Sequence, residues 1–282
     1  MKAYRQSNVS VVAATFLLAI ITAGLPCCTQ PQKSPIFKVP VANTFKNQQL
    51  IPWNTPEGQS RLSRSRFKAD FFQLAQYYQP QANPLYCGIA SSVILLNAMR
   101  QSRAVAPSQP ALELSVSTPT GTRTVPFPAY SQQTYLNDKT DQIKQRSIIE
   151  FRDPVTVDPG LTLKNLSDIL RSYDVKTTLY YAEAITAAGS AELRDTLKRV
   201  LLDNDHYLVA NFRGKRIGAP TGGHISPLVA YDQPTDSVLV LDVAGHKNPW
   251  YWAPVTSIYT AMHTHDGDYY RGWLVVSDAE NH

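Results

Sequence analysis

The chain has 282 residues, 43% hydrophobic and 17% charged, enough apolar material for one sizeable domain or two small lobes and too much for wholesale disorder. The formal net charge is +5, with acids and bases interspersed and no Lys/Arg run, which argues against a nucleic-acid partner. Of its three cysteines, only Cys87 lies beyond the N-terminal segment, so no internal disulfide and no thiolate cluster for a metal can be built around it.

Met1–Cys28 reads as an export segment. Lys2 and Arg5 form a positive start, Val11–Leu25 an apolar stretch, and small residues precede Leu25-Pro26-Cys27-Cys28, a weak lipoprotein-type processing site. The apolar run is short for a spanning helix, which needs about 20 residues. The expected location is therefore exported, periplasmic or membrane-anchored, with anchoring through the N-terminus and lipidation of Cys27 or Cys28 left open. Residues 29–60, polar and proline-spotted, read as an extended arm, and residues 61–279 as the main folded domain.

Arg64–Tyr78 has the spacing of one amphipathic helix with an aromatic face. Gly88–Met99 lacks proline and places Ile89, Val93 and Leu96 on one stripe widened by Ile94 and Leu95, a helix buried on more than one side. Residues 101–128 are rich in Pro, Ser, Thr and Ala and read as a long surface excursion. Thr162 should cap a helix burying Leu166, Ile169 and Leu170, and Ser190 another over Ala191–Leu202. Tyr207–Phe212, Ile225–Tyr231, Val238–Val243 and Trp273–Ser277 are β-rich, with Gln233-Pro234-Thr235-Asp236 turning a hairpin between the middle two. Helices first and an antiparallel sheet second indicate an α+β fold.

Cys87 opens the Gly88–Met99 helix, where the positive helix end favours a thiolate, and Gly88 would leave room for a substrate backbone. A nearby imidazole is the second requirement. Among six histidines, His224 follows Gly222-Gly223 and enters a strand, while Asp242 closes the partner strand at the same sheet end. Asp242 can then orient the His224 ring, and the Gln81 amide can join the Cys87 N–H as an oxyanion donor. A small buried thiol without chemistry is the competing reading of Cys87 alone.

The order Gln81, Cys87-Gly88, His224, Asp242 resembles that of papain-like cysteine peptidases. A closer resemblance is to the phytochelatin synthase family, the glutathione γ-glutamylcysteinyltransferases, in the bacterial type without a cysteine-rich C-terminal region. Tyr86-Cys87-Gly88-Ile89-Ala90-Ser91, Gly222-Gly223-His224-Ile225-Ser226-Pro227 and Leu241-Asp242-Val243-Ala244 through Lys247-Asn248-Pro249 carry it.

That resemblance implies a papain-like fold, an N-terminal helical lobe holding the nucleophile and a C-terminal antiparallel sheet lobe. It implies cleavage of the Cys–Gly bond of glutathione through a γ-glutamylcysteinyl thioester, giving γ-glutamylcysteine or phytochelatins in a response to heavy metals. Asn211 and Gly223 would line the acyl pocket, and Asp266 and Arg271 would read the γ-glutamyl ammonium and carboxylate. Without the resemblance, Asp266 and Arg271 read as an exposed ion pair at a sheet edge.

No cofactor is required, and Cd²⁺ or Zn²⁺ would enter as a metal–glutathione thiolate substrate. His263 and His265 with Asp266 and Asp268 form a conceivable divalent site, though such clusters are more often solvated loops. Glutathione is the expected partner and a homodimer is left open. Hydrolysis is expected to exceed transfer, since no second glutathione pocket is legible. Two other classes fit the residues: a general papain-like peptidase with an extended cleft, and a non-catalytic exported metal- or peptide-binding protein.

Overall fold

A computed structural model describes residues 50–99, 112–127, 129–146, 160–202 and 205–278. The export segment and most of the polar arm lie outside the described residues. In chain order the strands are β1 (Ile51–Pro52), β2 (Leu112–Thr118), β3 (Gly121–Phe127), β4 (Val175–Tyr181), β5 (His206–Arg213) and β6 (Gly223–Asp232). They continue as β7 (Ser237–Val240), β8 (Tyr251–Pro254), β9 (His265–Asp266), β10 (Tyr269–Tyr270) and β11 (Gly272–Asp278). The helices are α1 (Pro56–Arg64), α2 (Ala69–Gln76), α3 (Cys87–Met99), α4 (Asp138–Asp141), α5 (Leu163–Arg171), α6 (Ala187–Val200) and α7 (Val255–Met262).

Seven strands form one sheet in the order β1-β8-β7-β6-β5-β11-β4, and every pairing is antiparallel. Its central strands are apolar on both faces because both faces are covered. Val209, Leu239, Trp252, Leu274 and Val276 join one core with α2, α3 and α5. Their neighbours Leu208, Ala210, Val238, Val240, Trp273 and Val275 join the other with α6 and α7. This alternation is the period-2 rule of a strand, hidden in the sequence because the polar half of the pattern is missing.

The α+β class holds, with a difference in layout. Helices are not confined to the N-terminal half, since α6 and α7 cover the second face of the sheet. The helix expected over Arg64–Tyr78 is present but shorter, as α2 over Ala69–Gln76, and Arg64 is the last residue of α1. Ser65 ends α1, its hydroxyl donating to Arg61 O at 2.7 Å, and Phe67 bridges to Tyr231 before α2 begins. The arm expected to run to residue 60 ends earlier: β1 pairs with β8, and Thr55 caps α1 with Pro56 in its first turn. α1 is then held to the sheet by a bidentate pair from Arg64 to Asp232, at 2.9 and 2.7 Å.

The surface excursion contains the β2–β3 hairpin, in register from Leu112↔Phe127 to Thr118↔Gly121, with residues 115–125 exposed. The cap of α6 is Thr186, which accepts from Gly189 N, and Ser190 instead bonds back to Ala187 O within the first turn. Thr162 caps α5 as expected, in a reciprocal box with Asn165.

α3 is the centre of the first core. Ile89, Val93, Ile94, Leu95 and Leu96 are completely buried, so truncating one of them to alanine should cost about 2–5 kcal/mol. Such packing leaves the residue at the helix start little freedom to move. Ser91 Oγ lies 2.8 Å from Cys87 O and 3.1 Å from Ile225 O, which ties that first turn to β6.

Candidate active site

Cys87 begins α3 and is 8% exposed, the one cysteine among the described residues. The loop ahead of it is pinned at several points. Leu85 N donates to Asn83 Oδ1 at 2.9 Å, Tyr86 N to Asn83 O at 3.0 Å, and Ala90 N to Tyr86 O at 2.7 Å. Gly88 is closely packed: a Cβ there would lie 3.3 Å from both the Leu161 and the Ile225 side chains.

His224 stands at the start of β6, 3% exposed, with its Nε2 2.8 Å from Asp242 Oδ1. Asp242 follows β7, so the two meet at the same end of neighbouring strands. The carboxylate is fully buried and well supplied with donors. Ala244 N reaches Oδ1 at 2.7 Å, Asn248 Nδ2 reaches Oδ2 at 2.6 Å, and the buried Tyr251 hydroxyl lies close to the same carboxylate. Ser226 Oγ adds a contact to His224 Nε2 at 3.1 Å and accepts from Val243 N at 3.3 Å.

With Nε2 so occupied, Nδ1 is the ring nitrogen left to face the Cys87 thiol, which shares the wall of one small cavity with the imidazole. Burial alone would pull the His224 pKa down, but the Asp242 charge and hydrogen bond, with the thiol, raise it to about 10. Burial would likewise push Asp242 up, yet His224, Ala244 and Asn248 hold it below the usual carboxylate value. The direction of that shift favours a protonated ring, which would place positive charge beside the sulfur.

The remaining predicted residues gather on the sulfur's side. One small cavity, about 30 Å³, is lined by Cys87, Asn211, Gly223, His224, Asp266 and Arg271. Asp266 accepts from Asn211 Nδ2 at 2.7 Å and from Arg271 Nη2 at 3.0 Å. Arg271 also donates through Nη1 to the His265 carbonyl. At 1% exposure Arg271 is no surface ion pair. Its backbone is clamped, Arg271 N donating to Thr264 O and Ala182 N to Arg271 O, both at 2.9 Å. Gly272 follows because a Cβ there would fall 1.9 Å from Tyr180 O on β4.

Gln81 is not brought to the sulfur's cavity. Its Nε2 donates to Asn83 O at 2.8 Å, and its backbone N to Val243 O at 2.8 Å. It lines a second cavity of about 700 Å³, with Trp53, Tyr78, His246, Asn248 and Trp250 among the other wall residues. Pro84 lines both cavities. This second space went unread in the sequence because its walls come from three separate stretches.

The sequence model described as phytochelatin synthase matches residues 43–273, most of the chain. The chain belongs to the phytochelatin synthase family. Several curated relatives carry the name glutathione gamma-glutamylcysteinyltransferase. The Lotus japonicus protein numbered 3 is 24% identical over 209 residues, covering 73% of this chain and 37% of the relative. The Arabidopsis thaliana protein numbered 1 is 25% identical over 213 residues, with 73% and 37% covered. The Schizosaccharomyces pombe (strain 972) protein is 23% identical over 193 residues, with 68% and 39% covered. The chain thus spans well under half the length of the phytochelatin synthase relatives it matches.

For this family member, the residues that sequence reasoning missed are the supports of the His224–Asp242 pair: Ser226 on the His224 ring, Asn248 on the Asp242 carboxylate, and Tyr251 beside that carboxylate. Ser226 and Asn248 sit inside two of the three signature stretches, so the signal was present and unassigned. The conceivable His263/His265 site is not assembled. His263 ends α7 and donates from Nδ1 to Ala182 O at 2.9 Å, while both rings pack on Tyr270. Among the described residues, no group of three or more His, Cys, Asp or Glu could hold a metal ion, and no helix is long and apolar enough to cross a membrane.

Proposed function

We propose that this chain is a papain-like acyl transferase and hydrolase that cleaves the Cys–Gly bond of glutathione through a thioester on Cys87. The convergence of the Cys87–His224–Asp242 array and the buried Asp266–Arg271–Asn211 group on one cavity carries the reading. An acidic and a basic side chain held a short distance apart, with an amide beside them, match the ammonium and carboxylate of a γ-glutamyl end. Arg271 offers the forked donor that a carboxylate takes best. The names of the relatives support the same substrate.

In the first step Cys87 Sγ attacks the cysteinyl carbonyl carbon and forms the C–S bond. Main-chain N–H groups at the start of α3 face the charge that develops on the carbonyl oxygen. The C–N bond to glycine breaks, and His224 delivers its proton to the departing amine. In the second step water or an acceptor amine attacks the thioester, its proton passes to His224, and Cys87 leaves as thiolate. Asp242 keeps the ring oriented throughout and stabilises its charge.

Cd²⁺ or Zn²⁺ enters this scheme as a glutathione thiolate, hence as substrate. The N-terminal segment supports action outside the cytoplasm. At about 30 Å³ the acyl cavity holds about one water, so its rim side chains must part for the γ-glutamyl group. Such a closed pocket favours a small acyl group over the extended peptide that a general peptidase grips. Glycine release from glutathione, run beside an unmodified dipeptide of ordinary α-linkage, is the test. Selective turnover of glutathione supports the reading, and equal turnover of both would replace it with a peptidase.

A further inference from the structure

Ser226 lies two residues beyond His224 on β6, on the same face of the strand, and is completely buried. Its Oγ is 3.1 Å from His224 Nε2 and accepts from Val243 N at 3.3 Å. The second contact marks the end of the ladder to β7. Leu241 N still reaches Pro227 O at 2.9 Å, and two residues on Val243 N meets the serine side chain in place of a carbonyl. Asp242 sits between those two residues, so β6 holds it from both sides.

The direction of the contact to the ring follows from the ring's other partner. His224 Nε2 is 2.8 Å from Asp242 Oδ1, on a carboxyl group kept ionised by its donors, so that oxygen can only accept. A bare Nε2 taking the serine hydrogen would set two acceptors against each other at that distance. Nε2 therefore carries a hydrogen, and both Asp242 Oδ1 and Ser226 Oγ accept from it. Val243 N–H takes one lone pair of the serine oxygen and leaves the other for the ring. Asp242 Oδ1 also serves Ala244 N at 2.7 Å, so the ring is not its only donor and a second acceptor adds to its hold.

We propose that Ser226 is a positioning residue of the reaction: as an acceptor beside Asp242, it holds the ring hydrogen on Nε2 and keeps Nδ1 turned to the Cys87 thiol. The inference rests on the thioester chemistry proposed above. Nδ1 takes the thiol proton as the thiolate forms and gives it to the departing glycine amine, while the Nε2 hydrogen stays in place. Ser226 lines neither cavity, so it acts through the imidazole and not on substrate. The titratable and charged groups around that ring are Cys87 from α3, Asp242 beyond β7, and Asp266 and Arg271 in the wall of the shared cavity. Replacing the serine leaves all four in place.

The test compares the unsubstituted full chain with Ser226→Ala and with Val229→Ala, a buried control on the same strand. Three quantities are read: the thermal midpoint, kcat and KM for glycine release, and iodoacetamide alkylation against pH without glutathione, mapped to the Cys87 peptide. Ser226→Ala removes an acceptor from the imidazolium, so the thiolate should form at higher pH. Its alkylation midpoint should rise by about half a pH unit or more, and kcat should fall about tenfold with KM within about twofold. Val229→Ala should lower the thermal midpoint alone. An unmoved alkylation profile or an unchanged kcat in Ser226→Ala, whatever its thermal midpoint, would overturn the inference and leave the serine a structural role. Should that variant not fold, ¹⁵N-histidine NMR of the unsubstituted chain decides, with His224 identified by its loss in His224→Gln. As rising pH takes one proton from the ring, Nε2 should keep its hydrogen, and a hydrogen kept on Nδ1 instead would overturn the inference. A moved alkylation profile without glycine release from glutathione would contradict the thioester reading and leave the serine's hold on the ring standing.

Discussion

Asn248 donates from Nδ2 to Asp242 Oδ2 at 2.6 Å, on the carboxylate oxygen opposite the one that holds His224. The catalytic aspartate is thus fixed from behind by an amide six residues downstream. Asn248→Ala should lower kcat/KM for glycine release by about 10- to 150-fold, the worth of a hydrogen bond to a buried charge. Asn248→Asp should be worse, because it sets like charges together. A change under threefold in the alanine variant would show that the Ala244 backbone N–H and the His224 ring suffice to hold the carboxylate.

Removing the imidazole should be far more costly. His224→Ala should lose almost all activity, whereas Asp242→Asn should retain more than Asp242→Ala, since an amide can still orient the ring. Steady-state glycine release gives the ranking. Equal, mild losses in all three would mean that the array is not catalytic.

The raised His224 pKa has a consequence for stability. A group whose pKa rises on folding contributes its stabilisation fully below its unfolded value of about 6.5, and loses it as pH climbs toward about 10. The thermal midpoint should therefore fall across that window. His224→Gln should flatten the fall, even if its midpoint is lower at every pH. An unchanged slope in that variant would place the titration elsewhere.

Arg271→Ala should weaken kcat/KM for glutathione about 10- to 150-fold, and more than Arg271→Lys, because only the guanidinium forks onto a carboxylate. Its loss also leaves Asp266 buried with one donor fewer, so a lowered midpoint should accompany the kinetic change. Unaltered kinetics with a lowered midpoint would make the pair purely structural.

Hydrolysis should exceed transfer to glutathione at ordinary glutathione concentrations, without need of Cd²⁺. The sulfur's cavity, at about 30 Å³, must already open for the acyl group alone, before any acceptor is held there. Product analysis over a rising glutathione series, with and without Cd²⁺, checks this. Phytochelatin as the main product at the lowest concentration would count against it, as would strict metal dependence of glycine release.

The catalytic array was legible because each member carried a local mark: Cys87 before an unbroken apolar run, His224 behind two glycines, Asp242 at a strand end. Asp266 and Arg271 were placed only through the family resemblance, since their setting depends on a contact with Asn211 of β5, far back along the chain. Polar composition hid α1, whose partner Asp232 lies far along the chain. α7 and the strand before it were missed for a different reason. Val255, Thr256, Ile258 and Thr260 favour strands by local propensity, and packing on the sheet overrides that preference. Gln81 has the spacing of an oxyanion donor, and its amide also donates to Asn83 O at 2.8 Å, a contact that no sequence pattern announces.

Mass spectrometry of the purified chain, quenched in acid during turnover of glutathione, tests the central claim most directly. The account predicts a mass increase of one γ-glutamylcysteinyl group, mapped to the peptide carrying Cys87, with one glycine released per adduct and neither seen in Cys87→Ser. Steady glycine release with no adduct on Cys87, or release that persists in Cys87→Ser, would contradict it.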